Sequence, residues 1–288
     1  MSFANLALIL GSAVVHVVAH VALKTARDRT AFVWWMLLWG GVLFAPVSVL
    51  LAQPIPPAAW GIMAGGAVFE ALYFILIARA YRYADLSVVY PLARGTAPLF
   101  LVIWSTTFMG DRPTVGGLGG ILLIALGLYL INLPRLAAWR VPLQALRQTG
   151  PRLALLAGLC TSLYTVIDRA GIDLVAPLLY TYLGLWFTLL LMTPYVLRTV
   201  RWSGLAAELR SSRFNSVVAG FTTMAAYAIV LYAMRAGVPV SYAGAMREVS
   251  VVFGVIAGVW LLKEQGSAMR VLGAVAVVGG VALIALSG

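Results

Sequence analysis

Long apolar runs separated by short polar links dominate this chain. Ten runs are near the roughly 20 residues that a helix needs to cross a bilayer. They lie near 3–23, 31–52, 58–79, 86–109 and 114–133, then 153–170, 177–197, 214–234, 239–262 and 267–287. None alternates polar and apolar residues as a barrel strand does. Helices are the other structure that satisfies its own backbone in lipid. The links carry helix breakers: Gln53-Pro54-Ile55-Pro56-Pro57, Asp111-Arg112-Pro113, Gly266-Ser267. The longest link, 134–152, holds Arg135, Arg140, Arg147 and Arg152 among Leu and Trp, a mix suited to the membrane surface. The pattern predicts an all-α integral membrane protein with ten transmembrane helices. Its units are residues 1–133, a connecting loop 134–152, and residues 153–288.

Ten spans divide into five plus five, and an odd repeat enters the membrane upside down in its second copy. The sequence repeats accordingly. A constant offset of 153 residues pairs Arg82 with Arg235, Arg94 with Arg247, Phe100 with Phe253 and Asp111 with Glu264. It also pairs Gly120 with Gly273 and Gly127 with Gly280. Two inverted five-helix repeats are therefore expected. Of the 20 Lys and Arg residues, fifteen fall in links after odd-numbered spans, three in the opposite links, and Arg94 and Arg247 inside spans. That bias predicts that the rich side is cytoplasmic, with both termini outside the cytoplasmic (inner) membrane.

Composition agrees with a lipid solvent: 62% of residues are hydrophobic, 10% are charged, and the mean hydropathy is +0.98. The net charge of +11 sits mostly in the links, where it orients spans, so nucleic acid is not an expected partner. The single cysteine, Cys160, excludes an intramolecular disulfide and a Cys-rich metal site. The first run lacks a positively charged start and a clear cleavage site, and is expected to remain as a membrane helix.

Charges inside spans are expensive and mark candidate function. Arg94 lies about eight residues, hence about 12 Å, into its span, and Arg247 lies at matching depth from the other face. Each guanidinium offers a planar fork for carboxylate or phosphate; each can instead pair with Glu70 or Glu248. Glu70 is the acid nearest the centre of the third span, and is read either as a proton carrier or as a fixed counter-ion. Glu248 follows Arg247 directly, so the two side chains diverge on a helix. His16 and His20 share one helix face and are read as a substrate contact and a proton-handling group, or as polar packing; without an evident third ligand, no metal or cofactor is expected. Asp168 beside Arg169 reads as an interfacial charge. Tyr73, Tyr90, Tyr164, Tyr227, Tyr242 and Trp104 fall within spans as cavity walls or packing. Pro91 and Pro98 are expected to bend the fourth span. The pairs Gly61/Gly65, Gly116/Gly120 and Gly254/Gly258 suit close helix packing, within one chain or in a homodimer.

Ten helices in two halves resemble the EamA-type drug/metabolite transporters. So does a fourth helix of each half ending in Gly110-Asp111 or Lys263-Glu264. The glycine-rich fifth helices, Gly116-Gly117-Leu118-Gly119-Gly120 and Val271-Leu272-Gly273, fit the same pattern. The resemblance covers nearly the whole chain and implies secondary transport of a small molecule by alternating access, not enzymatic catalysis. It does not carry over the acidic residue that small multidrug relatives hold in their first helix, where this chain has His16 and His20. The arginines favour an anionic or zwitterionic metabolite. Proton-coupled efflux of lipophilic or cationic compounds through Glu70 is the alternative, and a non-transporting membrane partner the reading from another class.

Overall fold

The computed structural model describes residues 2–84, 86–133, 135–140, 144–261 and 268–287. Among them there is no strand. The helices are α1 (Phe3–Lys24), α2 (Arg29–Leu50), α3 (Pro57–Tyr83), α4 (Leu86–Phe108) and α5 (Val115–Ile131), then α6 (Thr149–Gly171), α7 (Pro177–Thr199), α8 (Arg201–Arg235), α9 (Val240–Met246), α10 (Val249–Leu261) and α11 (Ala268–Ser287). The linker contributes short 3-10 turns at Leu136–Ala138 and Ala145–Arg147. Helix starts follow local chemistry. Asp28 accepts hydrogen bonds from the Thr30 and Ala31 N–H groups, and Thr114 accepts one from Gly117. Pro57 and Pro177 open α3 and α7, where a missing N–H costs nothing.

Seven helices, α1, α2, α3, α6, α7, α8 and α11, are long and apolar enough to cross a membrane; α5 is a shorter apolar helix. Two expected spans differ from their hydropathy reading. The eighth, expected from near 214, is preceded by a more polar helical segment from Arg201 that joins it across a non-helical kink at Ser212 (φ −129, ψ 22); α8 covers both. Its added first part is polar enough to escape a hydropathy reading. It is nevertheless held: buried Glu208 accepts from the Asp28 N–H at 2.8 Å and the Ser212 hydroxyl at 2.6 Å, and the Trp35 indole donates to the Leu205 carbonyl at 2.9 Å.

The ninth expected span is interrupted, splitting into α9 and α10 at Arg247-Glu248. There the N–H groups of Glu248, Ser250 and Val251 bond three residues back, to Ala245, Arg247 and Glu248. This tighter winding re-aims two adjacent charged side chains. Meanwhile α4 continues without a break through Pro98, so helical structure is interrupted at the charge pair instead.

Two glycine-rich helices, α5 and α11, pack tightly together. A Cβ on Gly120 would stand 2.6 Å from the Gly280 carbonyl oxygen, and one on Gly127 would stand 2.6 Å from that of Gly273. Only hydrogen fits there, so the backbones touch. By contrast, a Cβ on Gly61, Gly65 or Gly254 would meet nothing among the described residues within 4 Å, so those glycines make no close approach to them.

The buried apolar residues fall into three clusters. The largest joins α5 and α11 to α1, α9 and the link 172–176, with Ile172, Val175, Ala243 and Met246 fully covered. A second draws mainly on α1, α2, α7 and α8, and a third on α3, α4 and α6. One end of the bundle is thus closed by a continuous core. At the end where the second and third clusters lie, a cavity runs between them.

Candidate functional site

Charges that the bilayer would not tolerate singly are gathered around one cavity. It measures about 120 Å3 and is bordered by Glu70 on α3, Arg94 on α4, Asp168 on α6, Tyr227 on α8 and Arg247 in the α9–α10 break. Arg94 is buried and its Nε lies 3.2 Å from Oε2 of buried Glu248. The break after Met246 makes this possible: Glu248 turns to α4 while its neighbour Arg247 turns elsewhere. Arg247 lies over the Tyr227 ring, with its guanidinium carbon 5.2 Å from the ring centroid. This is a cation–π contact, and among the described residues Arg247 makes no ion pair.

The two remaining acids are held by hydroxyls. Glu70 Oε2 accepts from the Thr188 hydroxyl at 2.7 Å. Asp168 Oδ1 accepts from Tyr180 at 2.9 Å, and Oδ2 accepts from Tyr227. Gly66 makes room for the Asp168 carboxylate, which a Cβ there would strike. Tyr227 therefore joins both signs of charge: its face receives Arg247 while its hydroxyl donates to Asp168. Tyr73, Tyr164 and Tyr227 form edge-to-face contacts along the same wall. The site offers a cation, two acids and aromatic surface within one enclosure. Among the described residues no group of three His, Cys, Asp or Glu is placed to hold a metal.

The structure brings Glu70, Tyr73, Arg94, Tyr227, Arg247 and His16 together around this cavity. It places Tyr242 elsewhere: its hydroxyl accepts from the Thr114 N–H at 2.9 Å, and its ring fills the space beside Gly117. Trp104 donates to the Ser162 hydroxyl at 3.1 Å and stacks on Phe108, away from the cavity. The side chains of His20, Tyr90 and Pro91 lie outside the described residues, as does the Lys263-Glu264 stretch.

Asp168 is the residue whose sequence reading needs correction. It is buried at the cavity, not exposed at an interface. A signal was present one turn away: Arg169 pairs with Asp173 at 2.5 Å across an i,i+4 spacing. That pair ties the end of α6 to the link beyond it on the more exposed side, while Asp168 faces the cavity. Tyr164, one of the in-span aromatics, also lines the cavity; Thr188 and Tyr180 belong to the site as well, and no linear signal distinguishes those two from packing residues.

From the central cavity a larger one, about 300 Å3, continues past Tyr73, Phe74 and Arg94. It reaches the exposed Arg29 at the start of α2 and Arg270 near the start of α11. The opposite end is latched. Asp111 accepts from the Ser241 N–H at 3.2 Å and hydroxyl at 3.1 Å, and the Thr114 hydroxyl donates to the Ser287 carbonyl at 2.9 Å.

Comparison with known proteins agrees with this architecture. The sequence profile of the EamA-like transporter family matches residues 3–133 and again 148–286. A Pseudomonas aeruginosa protein, described only as uncharacterized protein PA1977, is 31% identical over 270 residues, spanning 92% of this chain and 87% of that relative. A solved crystal structure of a protein superposes with a TM-score of 0.71 at 18% identity, covering 99% of this chain and 98% of the other. At that identity it speaks for the fold alone. With two matches that together span nearly its whole length, this apolar helical chain belongs to the EamA-like transporter family of membrane transporters.

Proposed function

We propose that the protein is a secondary transporter that carries a small zwitterionic or anionic metabolite across the inner membrane by alternating access. The observation that carries this reading is the unequal use of the two intramembrane arginines. Arg94 is committed to Glu248, whereas Arg247 rests on an aromatic face and borders the cavity. A carboxylate would displace a cation–π contact with a bidentate ion pair, a stronger interaction in a dry site. An ammonium group of the same molecule would find Glu70 and the Asp168 end of the cavity. Tyr73, Tyr164 and Tyr227 would flank its body.

Alternating access draws support from the contacts between repeats. The offset of 153 equates Gly120 with Gly273 and Gly127 with Gly280, yet the structure joins Gly120 to Gly280 and Gly127 to Gly273. Crossed pairing is what two antiparallel, symmetry-related helices make, and it favours inverted five-helix repeats over parallel ones. In this reading the described state is open to the arginine-rich, cytoplasmic face, and the Asp111–Ser241 latch with the apolar core behind it closes the other. Ten spans follow if α4, α5 and the interrupted α9–α10 cross the membrane with the seven long apolar helices.

Proton-coupled efflux of cationic compounds through Glu70 is the second reading. It is favoured by the hydroxyl-only partner of that acid, which leaves it able to take up a proton. Efflux from proteoliposomes loaded with labelled amino acids, organic acids and lipophilic cations separates the two. The zwitterions or organic acids should leave through the wild type and be slowed about tenfold or more by Arg247→Gln. Efflux of cations alone, insensitive to Arg247→Gln and abolished by Glu70→Gln, would replace the first reading by the second.

A further inference from the structure

Two cavities lie on opposite sides of the intramembrane arginines, and the internal repeat relates them. The wide one, a vestibule of about 300 Å3 toward the arginine-rich face, is walled on α10 by Ser250, Val251 and Gly254. The other, about 20 Å3, lies beyond Arg94 in the direction of Asp111 and the latch, and is walled on α4 by Ala97, Pro98 and Leu101. The offset of 153 that pairs Arg94 with Arg247 also pairs Ala97 with Ser250, Pro98 with Val251 and Leu101 with Gly254. The same three repeat positions thus wall a wide space in one half, and in the other a space with room for about one water molecule.

At one of these positions the halves differ in kind. Leu101 is 3% exposed and packs on Gly244 of α9, where a Cβ would strike it. Its counterpart Gly254 faces open space among the described residues. The neighbouring helices repeat the contrast. Ile77 and Tyr81 on α3 line the vestibule, whereas their counterparts on α8, Val230 and Met234, are buried in the core that seals the latched end. The small pocket is nevertheless polar on one side, where Thr161 and Thr165 of α6 border it. Each hydroxyl donates to a carbonyl one turn back and keeps a lone pair for a passing donor.

We propose that this pocket is the collapsed outward half of the transport pathway, with Leu101 as its plug and Thr161 and Thr165 as its polar wall. In the opposite state Leu101 leaves Gly244, the α4 side widens as the α10 side does in the described state, and the vestibule closes around Gly254. Cargo leaving the central cavity then passes the threonine hydroxyls. Its role as a path rests on alternating access as proposed above; which cargo the central cavity takes does not bear on it.

The test uses the full chain in sealed membrane vesicles of each orientation, in a Cys160→Ser background, with a membrane-impermeant maleimide outside. Thr165→Cys, at a residue 3% exposed, should react slowly from either face. Adding Leu101→Ala should speed its reaction from the face opposite the arginine-rich one by about tenfold or more, a shift that one buried leucine's packing is large enough to supply. Gly254→Leu, which sets a plug where space is open, should do the same. It should also slow Tyr73→Cys labelling from the arginine-rich face by a like factor. Each variant is melted first, and Gly254→Leu carries the test if Leu101→Ala does not fold. Acceleration from the arginine-rich face alone would assign the pocket to the vestibule and overturn the proposal. So would a Thr165→Cys rate that neither substitution changes, or one already fast without them. Those failures leave Arg247-dependent efflux of zwitterions or organic acids standing. The expected labelling without that efflux would instead keep the path and remove the central reading.

Discussion

Arg94 and Arg247 look equivalent in the sequence and are unlike in the structure. A guanidinium buried against one carboxylate gains little net stability, because desolvation offsets most of the attraction. Removing one partner leaves the other charge exposed to lipid-like surroundings. Arg94→Gln and Glu248→Gln should therefore each destabilise the protein by about 3–5 kcal/mol, and the double variant should recover much of that loss. Thermal melts of the three variants check this; additive losses would show that the two residues do not act as a pair. Among the described residues Arg247 has no such partner to strand, so Arg247→Gln should melt close to the wild type. Asp168 sits between these cases. Its carboxylate accepts from two tyrosines on different helices, and Tyr180→Phe should cost about 1–3 kcal/mol by leaving one acceptor less satisfied.

At the scale of elements, the hydropathy pattern located the described helices to within a few residues, except at α8 and at the α9–α10 break. Bilayer crossing imposes length and composition, and both are readable along a chain. Rotation about the helix axis is not, because in lipid an apolar face does not mark the inside. That is why Tyr242 and Trp104 read as cavity residues, and why Asp168 read as an interfacial charge. Glycines show the same limit. The spacing Gly61/Gly65 looks as suitable for packing as Gly120 or Gly127, yet only the latter two touch a backbone. Gly127→Val should destabilise the protein by about 1–3 kcal/mol or more through overpacking. Gly61→Ala should be neutral or slightly stabilising, since helical glycine carries an entropy cost that alanine lacks. A loss of similar size at both positions in denaturation experiments would mean that α5 and α11 are not the tight pair described.

For the whole molecule, the arrangement of apolar clusters sets which face reaches the centre. Two separate clusters flank the vestibule, and one continuous core seals the other end. In a Cys160→Ser background, Tyr73→Cys should react with a membrane-impermeant maleimide applied from the arginine-rich face and not from the opposite one. Ala243→Cys, on a residue with no exposure, should react from neither. Fast labelling of Ala243→Cys from the opposite face would indicate that the latch at Asp111, Ser241 and Thr114 does not close that end.

The central claim is that Arg247, and not Arg94, is the cation that receives substrate. Thermal stabilisation of the purified protein against amino acids, organic acids, phosphorylated metabolites and lipophilic cations tests it most directly, because a ligand that binds the folded state raises its melting temperature. The account predicts a saturable rise with a zwitterion or carboxylate, lost in Arg247→Gln and retained in the Arg94→Gln/Glu248→Gln double variant. Stabilisation only by cations, undiminished in Arg247→Gln, would contradict it and move the site to Glu70 and Asp168.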